Sequence, residues 1–469
     1  MEDLARAMKV RSPHRVAVTA LAGGLFLASP VAAQSDDRGT MAQRIDSIAR
    51  AAVAGVPLSG LALAVVRGED TLALVGLGNA NLEWPAPVTP ETVFRIGSLT
   101  KQFTAAAILQ LAEQGQVDLD AEVTRYVPEF DAQGHRVTLR HLLSHTSGIT
   151  SYTSLGERWR TRVRADLTQT EMLDLFQHEP FEFEPGDRFQ YSNSGYFLLG
   201  MIIERVSGTT YGGYLAANIF APLGMRDTRY CDTRATVARR AEGYVRVQDG
   251  FVNDEPISMT QPFAAGALCS TARDLLTWER ALHGGRVVSS ASYGQMVSPF
   301  VLNDGSLTEY GFGLAISELD AYRVVNHSGG INGFSSHLSY FPDADLTIVA
   351  LSNTEGASLW NVARDIARTA LGTMPAEPED RTLPPEQRER YVGNYDAANA
   401  NIRVFTENDH LWAQITGQAP FRLLYQGGQR FVAEFDHSIE LRFVARGRHV
   451  VEFSLVQGNR VRRALRVPF

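Results

Sequence analysis

Cysteine is almost absent from this chain of 469 residues, which holds only Cys231 and Cys269. Two cysteines exclude a disulfide framework and a cysteine-built metal cluster. In an oxidising compartment the two can pair across a long loop. The sequence leaves that open, because a bond requires Cα atoms closer than about 7 Å. Basic charge is also in short supply. Lys and Arg number 44 against 52 Asp and Glu, a formal net charge of -8. Without a basic stripe there is nothing to release counterions from phosphates, which argues against a nucleic-acid partner. Beyond residue 33 no segment reaches the roughly 18 uninterrupted apolar residues of a membrane helix. Repeats and low-complexity tracts are missing as well.

The first 33 residues differ from the rest. Arg6, Lys9, Arg11 and Arg15 form a positive leader, "VAVTALAGGLFLASPV" follows as an apolar stretch, and "VAA" places small residues before Gln34. This is the pattern of a secretory signal peptide spanning 1–33, and it predicts a periplasmic or secreted protein. No cysteine follows the apolar stretch closely, which excludes a lipid-modified cysteine at the cleavage point.

The whole chain is 44% hydrophobic and 20% charged, and at this length it should build two or more cores. "LALAVVRGEDTLALVGLG" (61–78) reads as two strands around a turn at Arg67–Asp70. Residues 101 to about 285 are mainly helical in pattern. "KQFTAAAILQLAEQG" stops at Gly115, "TLRHLLSHTSG" runs from an N-cap at Thr138 to Gly148, and "GYFLLGMIIERVSG" is apolar almost all round and ends at Gly208. Strand patterns return at 322–330 and in a hairpin over 333–353 that turns at Pro342–Asp345, and a helix follows at 358–372. Each strand group is too small to stand alone. One antiparallel sheet assembled from both ends of the domain, flanked by helices and carrying a large helical insertion, satisfies both. The predicted class is therefore α/β (α+β). Residues 373–387, rich in proline and acid, read as a linker between a domain at 34–372 and one at 388–469. In the latter, seven short strands at regular spacing predict a small antiparallel, lipocalin-like β-barrel.

Three short stretches carry chemistry. "GSLTKQF" (97–103) puts Ser98 and Lys101 three apart on the first turn of a helix, hence on one face. A hydroxyl is a poor nucleophile until a base takes its proton, and a lysine amine serves if burial lowers its pKa. "FEPGDRFQYSNSGY" (183–196) sets Tyr191, Ser192 and Asn193 before an apolar helix. A tyrosine hydroxyl is a candidate acid or base once nearby cations favour its phenolate, and an asparagine amide both donates and accepts. "NHSGGINGF" (326–334) ends a strand in paired glycines that let a ligand approach the backbone, with His327 and Ser328 available to bind a carboxylate or relay protons. An N–H on that strand edge can partner the N–H of Ser98 around an oxyanion. His141 and His145, four apart, suit a metal, but Leu142 stands where a zinc-binding H-E-x-x-H helix has glutamate, so no metal and no cofactor is predicted.

Taken in order, S-x-x-K, Y-x-N and H-x-G resemble the penicillin-recognising serine hydrolases: class C β-lactamases, D-alanyl-D-alanine carboxypeptidases, D-aminopeptidases and related esterases. "VFRIGSLTKQFTA", "LRHLLSHTSGI" and "GALCSTARDLLTW" (266–278) carry the same resemblance, which covers roughly residues 40–372 and implies a β-lactamase/transpeptidase-like fold. It implies Ser98 as the acylated nucleophile and Lys101 as proton acceptor. Tyr191 would activate water or protonate the leaving group. Asn193, His327, Ser328 and Gly329 would bind substrate, and the N–H groups of Ser98 and Gly330 would form the oxyanion hole. Either Lys101 or Tyr191 fits the working base. Where many β-lactamases have the lysine of K-T-G this chain has His327, a departure shared with carboxypeptidase- and esterase-like members and unfavourable to strong β-lactam hydrolysis. The implied substrate is a small molecule or peptide bearing an ester, D-amino-acid amide or β-lactam. A non-catalytic penicillin-binding or scaffold protein is the alternative, and the oligomeric state is open.

Overall fold

A computed structural model describes residues 30–55, 58–374, 378–397, 401–416, 419–447, 449–457 and 460–467. Most of the signal peptide expected at 1–33 lies outside these described residues. The chain divides into two compact units at the Gly372–Thr373 boundary.

The first unit is built on a seven-stranded antiparallel sheet. Its order is Ala86–Pro87, Asp70–Asn81, Gly60–Arg67, Leu346–Ser352, Phe334–Phe341, Tyr322–Ile331 and Ala315–Leu319. The early and late strand groups join where Gly60–Arg67 pairs with Leu346–Ser352, with Leu61 opposite Ser352 and Arg67 opposite Leu346. Side chains alternate between faces along each strand. Leu61, Leu63, Val65, Val324, Ile348 and Ala350 pack on one face with Ile45, Ala49, Leu359 and Ile366 from the helices Pro30–Gly55 and Leu359–Leu371. The opposite face presents Ala62, Ala64, Val325, Leu338, Val349 and Leu351 to the core shared with the helical insertion.

Two helices run through that insertion. Thr100–Glu113 has its residues buried from Thr100 to Leu109, and Gly115 (φ 69°) follows its end. Asn193–Ser207 is buried from Ser194 to Ile203 and closes on Gly208 in the left-handed region. Burying each large apolar side chain here contributes about 1.5–3 kcal/mol, before entropy is counted.

The helix read from the sequence over 138–148 is shorter. Thr138 caps it as expected, accepting from the His141 N–H, but the helix spans only Leu139–Leu143. Beyond it the backbone bonds to another loop: His145 O accepts from Gln190 N–H (2.9 Å), Thr146 O from Gly186 N–H (2.8 Å) and Gly148 O from Glu182 N–H (2.9 Å). Those bonds need His145 at φ 58° and Gly148 at φ 75°, conformations no helix continues through.

Phe94–Arg95, Leu268–Ser270 and Arg229–Tyr230 form a small separate sheet in that order. It holds Cys269 beside Cys231, whose Cα atoms lie 5.2 Å apart, and the two sulfurs are bonded.

In the second unit eight antiparallel strands close into a barrel: Gly393–Asp396, Asn401–Glu407, His410–Ile415, Phe421–Gly427, Arg430–Ala433, Asp436–Arg446, His449–Gln457 and Arg460–Val467. Gly393–Asp396, too short to show alternation in the sequence, is the strand that closes it, Asn394 pairing with Val467. Tyr391, Tyr395, Phe431, Phe443 and Phe453 fill its interior with ring contacts of 4.9–5.8 Å. Part of the stretch read as linker belongs to this unit. Leu383 is in the barrel core, Arg381 N–H donates to Tyr425 O (3.0 Å) and Asp380 pairs with Arg422.

The Cys231–Cys269 bond spans 38 positions. Closing a loop of that length in the unfolded chain is worth about 3–4 kcal/mol on the chain-entropy account. A Cys231→Ala/Cys269→Ala double variant is expected to lose stability on that scale in urea melts. Reductant should lower the wild-type midpoint and leave the variant's unchanged.

Candidate active site

Ser98 stands at a tight approach between the sheet and the central helix. Gly97 (φ 51°) opens the turn Gly97–Leu99, and a Cβ on it would lie 2.9 Å from Gly330 O. A Cβ on Gly329 would lie 2.2 Å from Ile96 O and 3.1 Å from the Ser98 N. Glycine at these positions lets the Tyr322–Ile331 strand press against the turn, which sets Gly330 beside Ser98. The turn passes into the Thr100–Glu113 helix, so Lys101 falls on the same side as Ser98, one turn on.

Lys101 is fully buried. Its Nζ lies 3.1 Å from Ser98 Oγ, 2.8 Å from Asn193 Oδ1 and 2.8 Å from Ala265 O. Burial pushes the amine well below the ordinary lysine range. A neutral amine has two hydrogens and one lone pair. The two carbonyl oxygens can only accept, so they take both hydrogens, and the lone pair is left for the Ser98 hydroxyl.

Asn193, the first residue of its helix, is held from three sides. Its amide oxygen accepts from Lys101, its amide nitrogen donates to Thr153 Oγ1 (3.1 Å), and its backbone N–H donates to Ser151 Oγ (3.1 Å). Tyr191 is 36% exposed, yet the surroundings of its hydroxyl are dense. Lys101 Nζ lies 4.6 Å from its ring centroid, and Ser98 is near enough to influence its hydroxyl. Desolvation raises the phenol above its ordinary range, against the smaller opposing influence of Ser98. The sequence-based expectation that cations would favour a phenolate therefore fails: the adjacent amine is desolvated and brings no lasting charge.

His327 is buried, with Nδ1 2.6 Å from Ser328 O and Nε2 2.8 Å from the Tyr310 hydroxyl. A carbonyl oxygen only accepts, so Nδ1 carries the proton and Nε2 accepts from Tyr310. Desolvation pushes the imidazole down to about 3. It is neutral, and both ring nitrogens are engaged within the protein. Ser328 is placed differently from the sequence-based expectation. Its side chain shares a face with Val324, and its Oγ lies 2.8 Å from Nδ1 of His337, whose ring packs on Trp360 of the Leu359–Leu371 helix. Strand alternation thus turns it away from Ser98 while His327 faces inward.

Ser98, Asn193 and Gly330 line a cleft of about 110 Å³ together with Tyr152, Thr153, Trp159, Ile257, Pro262 and Ile331. The sequence reading missed Ala265, whose carbonyl takes a Lys101 hydrogen, because a backbone acceptor has no residue-type signature. It also missed Tyr310 and Thr153, one in an isolated β-bridge and the other in the short 3-10 turn Tyr152–Ser154, stretches too short to show periodicity. The His141–His145 pair does not share a helix, since the helix ends at Leu143, and His141 Nδ1 accepts from the Thr138 N–H (3.3 Å).

Comparison with known proteins agrees with this geometry. The β-lactamase family model matches residues 45–371. Penicillin-binding protein 4* of Bacillus subtilis (strain 168) is 32% identical over 391 residues, covering 78% of this chain and 85% of that protein. A D-aminopeptidase of Gluconobacter oxydans (strain 621H) is 30% identical over 73% of this chain but only 64% of its own length. Among solved structures, the octameric penicillin-binding protein homologue from Pyrococcus abyssi superposes with a TM-score of 0.65 at 26% identity, covering 90% of this chain and 99% of that one. D-amino acid amidase from Ochrobactrum anthropi SV3 gives 0.62 at 26% identity over 72% and 99%. With Ser98 and Asn193 lining one cleft and both bonded to the buried Lys101 inside the matched region, the chain belongs to the β-lactamase family and is an enzyme of its serine hydrolase type.

Proposed function

We propose that the protein is exported and cleaves an ester or amide of a small-molecule or peptide substrate through an acyl-enzyme on Ser98. The observation that carries this reading is the set of bonds at Lys101 Nζ. Two carbonyl acceptors fix both hydrogens and leave the lone pair facing the nucleophile's hydroxyl. Ser98 Oγ attacks the carbonyl carbon while its proton passes to Lys101. The N–H groups of Ser98 and Gly330 receive the oxyanion, a contribution typically worth about 10²–10³ in rate per donor. Tyr191, kept protonated by burial, donates its proton to the leaving group and regains one from the protonated lysine. Water then attacks the acyl carbon, its proton passing to the neutral Lys101 and on to Ser98 Oγ as the ester bond breaks, so both groups return to their starting states. Asn193 holds Lys101 in line and borders the acyl group. Lys101 is therefore assigned as base and Tyr191 as acid.

The cleft's lining includes Tyr152, Trp159, Ile257, Pro262 and Ile331, which favour an apolar acyl group. His327 brings no cation to a substrate carboxylate, which favours esters and amides over β-lactams. Relatives named D-aminopeptidase and D-amino acid amidase support amides as a class. Export is supported by the leader at 1–33 and by the Cys231–Cys269 bond, a feature of oxidising compartments. The compact unit of residues 373–469 has no role in the bond cleavage.

Three outcomes are expected. A fluorophosphonate should add once to the native protein, with the label mapped by mass spectrometry to Ser98 and absent from Ser98→Ala; labelling elsewhere, or none, sinks the acyl-enzyme. The protein recovered from a periplasmic or culture fraction should begin at Gln34, and retention of the leader there would contradict export.

The third concerns Lys101→Met. Acylation should fall by about three orders of magnitude or more, the scale of general-base loss. Stability should hold or rise at pH 7. The unfolded chain keeps the lysine proton up to about pH 10.4, whereas the folded chain gives it up at lower pH. Between those values the unfolded state binds more protons, so wild-type stability rises with pH. Urea melts at pH 7 and pH 9.5 should show the gap between variant and wild type closing as pH rises. A gap that widens would mean Lys101 is charged in the fold.

A further inference from the structure

We infer that His145 is a positioning residue for Tyr191, clamping it from both sides along the chain and across its ring. The inference rests on the assignment of Tyr191 as the proton donor. His145 O accepts from the N–H of Gln190 (2.9 Å), and His145 Nδ1 accepts from the N–H of Ser192 (3.1 Å). The residue between those two amides is Tyr191. The His145 ring lies 4.2 Å from the Tyr191 ring, centroid to centroid, at 37°. Three further aromatic rings, Phe189, Tyr196 and Tyr310, stand 4.8–5.9 Å from it. One residue thus fixes the chain before the phenol through its backbone carbonyl, and the chain after it and the plane of the phenol through its ring.

The arrangement is costly for a residue that only fills space. A backbone N–H only donates, so Nδ1 is the acceptor and the neutral ring keeps its hydrogen on Nε2. That Nε2 is buried with no hydrogen-bond partner among the described residues, and the whole residue is 1% exposed. The backbone is also held at φ 58°, a region side chains other than glycine seldom adopt, with Asn, Asp and His the commoner exceptions. Leucine would fill the aromatic cage without leaving a buried N–H unbonded. What leucine lacks is the acceptor for Ser192. Asparagine keeps a short acceptor and tolerates the same backbone conformation.

The test compares an alkyl ester, whose leaving group needs a proton, with a p-nitrophenyl ester, whose leaving group does not. If His145 acts through Tyr191, His145→Leu should lower kcat on a butyl ester by about 10- to 100-fold with KM nearly unchanged, and should barely affect the p-nitrophenyl ester. His145→Asn should restore most of the loss. In a Tyr191→Phe background His145→Leu should cost nothing further on the butyl ester. The comparison of the two esters is made on folded enzyme, and His145→Ala replaces His145→Leu in the same comparison if the latter does not fold. Equal losses on both esters, no recovery in His145→Asn, or a loss additive with Tyr191→Phe would each overturn the positioning role while leaving Tyr191 as the acid. Full butyl-ester turnover by Tyr191→Phe alone would instead remove Tyr191 from the mechanism and His145's role with it.

Discussion

The burial of one lysine amine governs this structure. Taking a cation of that size out of water costs several kcal/mol even after relaxation, and the fold avoids the cost by favouring the uncharged amine. That choice constrains everything around it. The Thr100–Glu113 helix is enclosed rather than laid on a surface, so the insertion wraps it with Asn193–Ser207 and with Phe263–Gly266, whose Ala265 carbonyl is a Lys101 partner. Each polar atom brought within reach of the amine must have a partner of its own, and Asn193 shows how: all of its amide and backbone bonds to Lys101, Thr153 and Ser151 are made inside the protein.

The surrounding site is polar without being charged. His145, His327 and His337 are all buried, and desolvation is the first cause of depression in each, to about 3 for His327 and His337. Tyr191, Tyr196 and Tyr310 are raised by the same cause, so they stay protonated. Directed hydrogen bonds therefore do the work that ion pairs do elsewhere. The Ser328 carbonyl fixes the His327 tautomer, and the Ser192 amide fixes that of His145. Such bonds act at short range in a dry site and are already oriented before substrate arrives, which is the condition for stabilising a developing oxyanion.

Close backbone approach is the second constraint. Gly97 and Gly329 face contacts at which a Cβ would fall 2.2–2.9 Å from a carbonyl oxygen. Without that thinness the Tyr322–Ile331 strand stands off the Ser98 turn and Gly330 leaves the cleft. The sheet supplies the leverage. Pairing of Gly60–Arg67 with Leu346–Ser352 ties the two ends of the first unit together, and the late strands then carry Gly329 and Gly330 to a nucleophile near the start of the chain.

Much of this could be read in the chain itself. Local rules located the hairpins, the central helices and their glycine stops, and seven of the eight barrel strands, because alternation, apolar period and turn chemistry are properties of neighbours. The ordered residues Ser98, Lys101, Tyr191, Asn193 and His327 could be named because their side chains are the chemistry. The sequence could not decide which groups share a desolvated space, and that alone settles protonation: it reversed the reading of Tyr191 and left His327 neutral. Strand parity sent Ser328 to the far face of the sheet. The same limit hid the Ala265 carbonyl, the end of the helix at Leu143 and the hold of His145 on Tyr191. Each depends on backbone groups that every residue carries, and only the tertiary fold chooses their partners.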